Sequence, residues 1–215
     1  MNKRQRVIAI GEIFSKVYAD AKCSLDFTTS HELLVAVQLS AQCTDARVNL
    51  VTPALFEKYK SVYDFACADE DELCEIIRSC GFYRNKGKNI IASSKRICEV
   101  YGGEVPDTMD DLLSLAGVGR KTANLILGDV YGKPALVIDT HAIRLSNRIG
   151  LVDEKDPVKI EFALKKIVPE DMQIKLCHQF VFHGRAICRA AKPACSECPI
   201  EHLCKKKIKK RNDSK

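Results

Sequence analysis

Apolar residues return at three- and four-residue spacing through most of this chain, and that period leaves room for helices and almost nothing else. Val7, Ile10, Phe14 and Val17 keep helical spacing within 5–19. Thr29 and Glu32 stand at capping-box spacing ahead of Leu33-Leu34-Val35-Ala36-Val37-Gln38-Leu39. That run is apolar nearly all round, so it is expected to be a central, buried helix. Further helices are predicted over 46–59, 69–79, 84–100, 108–116, 119–131, 140–149, 157–167 and 170–184. Ala135 to Ile138 is the one strand candidate, and four residues cannot build a sheet. The expected class is all-α, and 215 residues suffice for a substantial core in one or two domains.

One stretch organises the rest: Leu115 to Arg148, LAGVGRKTANLILGDVYGKPALVIDTHAIRLSNR. Leu115-Ala116-Gly117-Val118-Gly119 falls between two apolar-periodic runs, which predicts two helices joined by a short turn. Its glycines permit left-handed backbone angles and put no Cβ in the way of an approaching ligand. N–H groups at the start of the second helix then point where a phosphate oxygen can accept them. Alone, such a turn says little, since most only connect helices. Lys121 adds chemistry: in the first turn of that helix the dipole disfavours its charge, as partial burial would, and a neutral amine is a nucleophile. A solvated lysine beside Arg120, forming a merely basic patch, is the plainer alternative. Asp139, in Val137-Ile138-Asp139-Thr140-His141, precedes another amphipathic helix and suits an N-cap, with or without a catalytic role.

Cys188, Cys195, Cys198 and Cys204 form C-x6-C-x2-C-x5-C, a ligand set for tetrahedral zinc or for an iron–sulfur cubane. Spacing alone leaves both open. The other seven cysteines (Cys23, Cys43, Cys67, Cys74, Cys80, Cys98 and Cys177) sit among apolar residues and are expected to pack as small hydrophobes. With no secretory pattern at MNKRQRVIAI and no apolar run of membrane-spanning length, the expectation is an intracellular, cytoplasmic protein with reduced thiols, making no membrane contact. The net charge of +6 is not spread over the chain. The last eleven residues, KKKIKKRNDSK, hold seven Lys or Arg and one Asp, which leaves 27 basic against 27 acidic residues elsewhere. Overall basicity therefore argues nothing about the body. Residues 205–215 are expected to be a disordered, phosphate-attracting tail.

LAGVGRKTAN, VIDTHAIRLSNR and CRAAKPACSECPIEHLC, in that order and spacing, resemble the endonuclease III family of DNA glycosylase/abasic-site lyases within the helix-hairpin-helix superfamily. The likeness runs from about Phe27 to Cys204; one departure is Ala116, where the family commonly has proline, which would loosen the turn. The resemblance implies two helical lobes with a cleft between them: a six-helix bundle over 22–132, and a second lobe of 1–21 with 133–204 carrying a C-terminal iron–sulfur loop. It assigns the four cysteines a [4Fe–4S] cluster that is structural, pinning a loop whose Arg189 and Lys192 would meet phosphates. It gives Gln42 the gap left by an extruded nucleotide and Phe82 the place of an apolar wedge, although in isolation Phe82 reads more readily as core. Gly117, Gly119, Arg120 and His141 complete the expected DNA contacts; His141 has an equally good reading as an ordinary residue of a capped helix.

The activity implied is removal of oxidised or ring-saturated pyrimidines from damaged double-stranded DNA, with Lys121 as nucleophile and Asp139 as the carboxylate facing developing positive charge. The abasic site is then cut by β-elimination through a lysine Schiff base. A monomer is expected. Two alternatives are an adenine-mismatch glycosylase, which typically lacks the lysine and carries a further C-terminal domain, and a non-catalytic DNA-binding module.

Overall fold

Side chains start most of the helices. Asn2, Thr29, Thr44, Ser61, Asp69, Thr108, Asp139 and Asp156 each accept a backbone N–H of the next turn. In the computed structural model, residues 1–208 are described, and they hold eleven α-helices and no strand. In order these are α1 (Lys3–Val17), α2 (Ser30–Leu39), α3 (Asp45–Lys58), α4 (Val62–Ala66), α5 (Glu70–Ile76) and α6 (Tyr83–Tyr101). Then come α7 (Met109–Leu113), α8 (Arg120–Asp129), α9 (Thr140–Ile149), α10 (Pro157–Lys165) and α11 (Gln173–Ala186). Ala135 to Ile138 is buried but pairs as no strand.

The chain divides into two compact units, one of Cys23–Lys133 and the other of Met1–Lys22 with Pro134–Lys215. In the first, α2 is the hub: eight of its ten residues are buried, and it packs on α3, α6 and α8. Leu33, Leu34 and Leu39 share this core with Leu55, Phe65, Leu73, Ile77, Ile90 and Ile97. At about 25 cal/mol per Å² of apolar surface, burying each side chain of this size is worth roughly 1.5–3 kcal/mol. The unit has seven α-helices, one more than expected: α4 is a five-residue helix opened by a Ser61–Asp64 capping box. The predicted 69–79 helix is also shorter, giving way to a 3-10 turn at Arg78–Cys80.

The second unit packs α1 and α9 on α11. Phe14 meets Phe180 and His183 in ring contacts at 6.3 and 4.8 Å, and Tyr18 Oη pairs with His183 Nδ1 at 2.8 Å. Gly184 lets α9 and α11 close up, because a Cβ there would lie 2.4 Å from His141 Nδ1 and 2.8 Å from Arg144 Nη2. The basic end is tied at its start: Lys205 N donates to Ile149 O and Lys207 N to Arg148 O. That part of the expected disordered tail is therefore held on the end of α9, and 209–215 lie outside the described residues.

Candidate functional site

The turn between α7 and α8 is anchored by Leu115 and Val118, both buried, with Val118 N donating to Leu115 O. Its two glycines do different work. Gly117 has φ +74°, and a Cβ there would stand 2.9 Å from Asn89 Cβ and Nδ2. Gly119 has φ −102°, so it needs no left-handed angle; it is the N-cap of α8 and faces open space. Having no side chain, it leaves the first N–H groups of α8 without a side-chain cap. Gln38, buried on α2, donates from Nε2 to Ala116 O at 2.8 Å, which holds the turn at the point where proline is missing. Arg120 is half-buried and Lys121 exposed.

Two neighbouring turns of the same unit carry Gln42 and Phe82. Both have positive φ, +53° and +49°, an arrangement that costs a non-glycine residue about 1–2 kcal/mol. Gln42 is exposed, and Phe82 is 63% exposed as the N-cap of α6. Phe82 is thus not a core residue. Between the turns lies Lys86, buried, whose Nζ donates to Leu39 O and Cys80 O at 2.8 Å each. Burial holds the Lys86 ammonium below the ordinary lysine value, and the Cys43 and Cys80 thiols oppose that shift.

In the other unit Asp139 is the N-cap of α9, its Oδ1 accepting Ala142 N at 2.7 Å. The segment leading to it is pinned where Val137 N donates to Cys177 Sγ at 3.2 Å. His141, half-buried, pairs through Nδ1 with Arg144 Nη2 at 3.0 Å.

Cys188, Cys195, Cys198 and Cys204 line one pocket with Leu145, Ile149 and other apolar neighbours. Burial raises the Cys198 and Cys204 thiols, and the charge of the neighbouring cysteines adds to it. Donors are aimed at the sulfurs: Arg148 Nη1 on Cys188 Sγ at 3.5 Å and Lys206 N on Cys204 Sγ at 3.3 Å. The N–H bond from Lys206 lowers the Cys204 thiol against that shift, and four cysteines lining one pocket fit a thiolate-held group. No three His, Cys, Asp or Glu among the described residues gather as ligands of one metal ion. Arg144 and Arg148, one turn apart on α9, brace the loop after Cys188: Arg144 Nε donates to Cys188 O, and Arg148 reaches Arg189 O and Ala190 O at 2.7 Å each. Arg189 and Lys192 are exposed on that loop. Of the other cysteines only Cys74, Cys80 and Cys177 are buried; Cys67 is exposed and Cys23, Cys43 and Cys98 half-buried, so the expectation of seven packed thiols is met in part.

The sequence did not reveal the parts played by Gln38, Lys86, Arg144 and Arg148, and Cys177 was expected to pack but not to accept Val137 N. Gln38 left a signal, a lone amide inside an apolar run, and so did the i, i+4 spacing of the two arginines on α9.

An all-helical chain with a two-glycine hairpin that leaves a helix start uncapped is a helix-hairpin-helix protein. Residues 35–170 match the HhH-GPD superfamily base excision DNA repair protein family. The endonuclease III of Synechocystis is 48% identical over 94% of this chain and 93% of its own length, and that of Bacillus subtilis 45% over 95% and 94%. Among solved structures, a trapped endonuclease III–DNA covalent intermediate in an estranged-adenine complex has 42% identity and a TM-score of 0.89, covering 96% of this chain and 97% of that one. The chain belongs to the endonuclease III family within the HhH-GPD superfamily. Among the described residues no helix is long and apolar enough to cross a membrane.

Proposed function

We propose that the chain acts on damaged duplex DNA as a base excision repair glycosylase with abasic-site lyase activity, removing oxidised or ring-saturated pyrimidines. The observation that carries this is the likeness, over nearly the whole of both chains, to a relative captured covalently on DNA, together with an exposed Lys121 just past an uncapped hairpin. Lys121 is the nucleophile. Being exposed, its amine is open to an approaching sugar. Nζ bonds to C1′ as the N-glycosidic electron pair leaves with the base, and Asp139 faces the positive charge that develops. Nζ gives one proton to the departing base and its second to O4′ as the C1′–O4′ bond opens, leaving a Schiff base on Nζ. Loss of a C2′ proton puts its electron pair into a new C2′–C3′ double bond, and the C3′–O bond breaks, releasing the 3′ phosphate.

Hairpin N–H groups with Gly117, Gly119 and Arg120 hold the backbone, while Gln42 and Phe82 fill and wedge the stack after the base is extruded. His141, Arg189 and Lys192 take further phosphates. Cys188, Cys195, Cys198 and Cys204 would hold a [4Fe–4S] cluster that supplies structural rigidity to the loop between the first two. Four cysteines at this order and spacing, in a chain so similar to endonuclease III over nearly its whole length, support the cluster over zinc. Base release and strand nicking on a panel of lesion duplexes test the reading: ring-saturated and oxidised pyrimidines should be excised and the strand cut, and activity confined to adenine mismatches would refute it.

A further inference from the structure

Lys86 is a charge placed where charge is hard to keep. It is 6% exposed, in the first turn of α6, and its hydrogen bonds go to two main-chain carbonyls, Leu39 O and Cys80 O. Each carbonyl belongs to the last residue of a helical element, α2 and the 3-10 turn Arg78–Cys80. Helix ends leave such carbonyls without partners and favour a cation, so the contact is locally sound. A hydroxyl could satisfy only one carbonyl; an ammonium with three donors can satisfy both at once.

The residues just past each carbonyl give the arrangement its meaning. Three residues after Leu39 comes Gln42, and two after Cys80 comes Phe82. These are two of the three non-glycine residues with positive φ among the described residues, and both are exposed. Strain of that kind persists only where the surroundings over-determine it. We propose that Lys86 is a positioning residue, a tie between the ends of α2 and the 3-10 turn that fixes the Gln42 and Phe82 loops in one mutual arrangement for reading a disrupted duplex. This rests on the reading that those two side chains enter the DNA.

The test compares the full chain with Lys86→Met, the double variant Gln42→Ala/Phe82→Ala, and the triple variant. Each is assayed for the ratio of affinities for a lesion duplex and the matched undamaged duplex, alongside its melting temperature. Lys86→Met should lower the ratio about tenfold, the double variant at least as much, and the triple no further than the double, because one function is removed by either route. A triple variant whose loss is the product of the two would show Lys86 acting elsewhere, and overturn the proposal. If the double variant lowers the ratio but Lys86→Met does not, the tie fails and the loop reading stands. If the double variant leaves the ratio intact, the loop reading fails and the proposal with it. Should Lys86→Met not fold, Lys86→Gln keeps a donor, and hydrogen exchange decides. Faster exchange confined to the Cys43 and Gly81 amides supports the tie, and uniform acceleration through the unit refutes it.

Discussion

Gln38 Nε2 donates to Ala116 O at 2.8 Å across 78 residues of sequence, and so joins the most buried helix to the turn that precedes Lys121. Its Oε1 is buried with no hydrogen-bond partner. Gln38→Leu removes that unmet acceptor along with the donor, so the net loss should be modest, about 1 kcal/mol. Gln38→Glu sets an acceptor against an acceptor in a buried site and should cost more than the leucine variant. Denaturant melts check the ranking. Single-turnover nicking of an abasic duplex should slow by roughly tenfold in both as the turn shifts.

The hairpin glycines should separate under mutation. Gly117→Ala forces a left-handed alanine against Asn89, and should destabilise by about 2–4 kcal/mol. Gly119→Ala meets no steric obstacle in the protein and should cost under about 1 kcal/mol. Duplex affinity should nevertheless fall in Gly119→Ala, because the added methyl stands where a phosphate would approach. Thermal melts and fluorescence anisotropy read the two effects independently.

His31 makes stability depend on pH. Buried against Phe65 and Ser94, its ring is pushed down to about 4 from 6.5, chiefly by burial, with Glu32 opposing. The unfolded chain therefore binds a proton that the folded chain refuses. The contribution is present in full above about 6.5 and is lost as pH falls through about 4, amounting to about 3 kcal/mol in all. His31→Gln should flatten that stretch of the stability curve, as urea midpoints between pH 7 and pH 4 would register.

Arg148 Nη1 and Nη2 span Arg189 O and Ala190 O, and Nη1 also reaches Cys188 Sγ. A lysine cannot span those three acceptors from one point. In Arg148→Lys, protein purified without air should show less visible absorption per chain. Its dependence of duplex affinity on salt should also weaken by a slope of about 1–2, as Arg189 and Lys192 lose their placement. Unchanged absorption and slope would remove Arg148 from the support of this loop.

Local signals carried the helices well and the contacts between them poorly. The range 140–149 holds to the residue, and the Thr29–Glu32 capping box is formed, because an N-cap and a glycine stop are written next to the helices they bound. Val62–Ala66 escaped because five residues are too few to display a period, although Ser61 and Asp64 announce it. The 170–184 helix starts three residues late, after a 3-10 turn at Glu170–Met172. At the candidate site, the glycine turn, the lysine and the four cysteines were legible as residue types at fixed spacing. Lys86 on Leu39 and Cys177 under Val137 were not, since they join residues 47 and 40 positions apart that only the packed core brings together. Phe82 misled for the same reason: apolar character says nothing about which side of a turn a residue takes.

On the proposed function, the Lys121 amine bonds to the sugar. Borohydride added during reaction with a lesion-bearing duplex should lock protein to DNA as a single covalent species on a denaturing gel. Lys121→Ala should abolish both this species and the strand cut while keeping much of the duplex affinity. Trapping and cleavage that persist undiminished in Lys121→Ala would contradict the account.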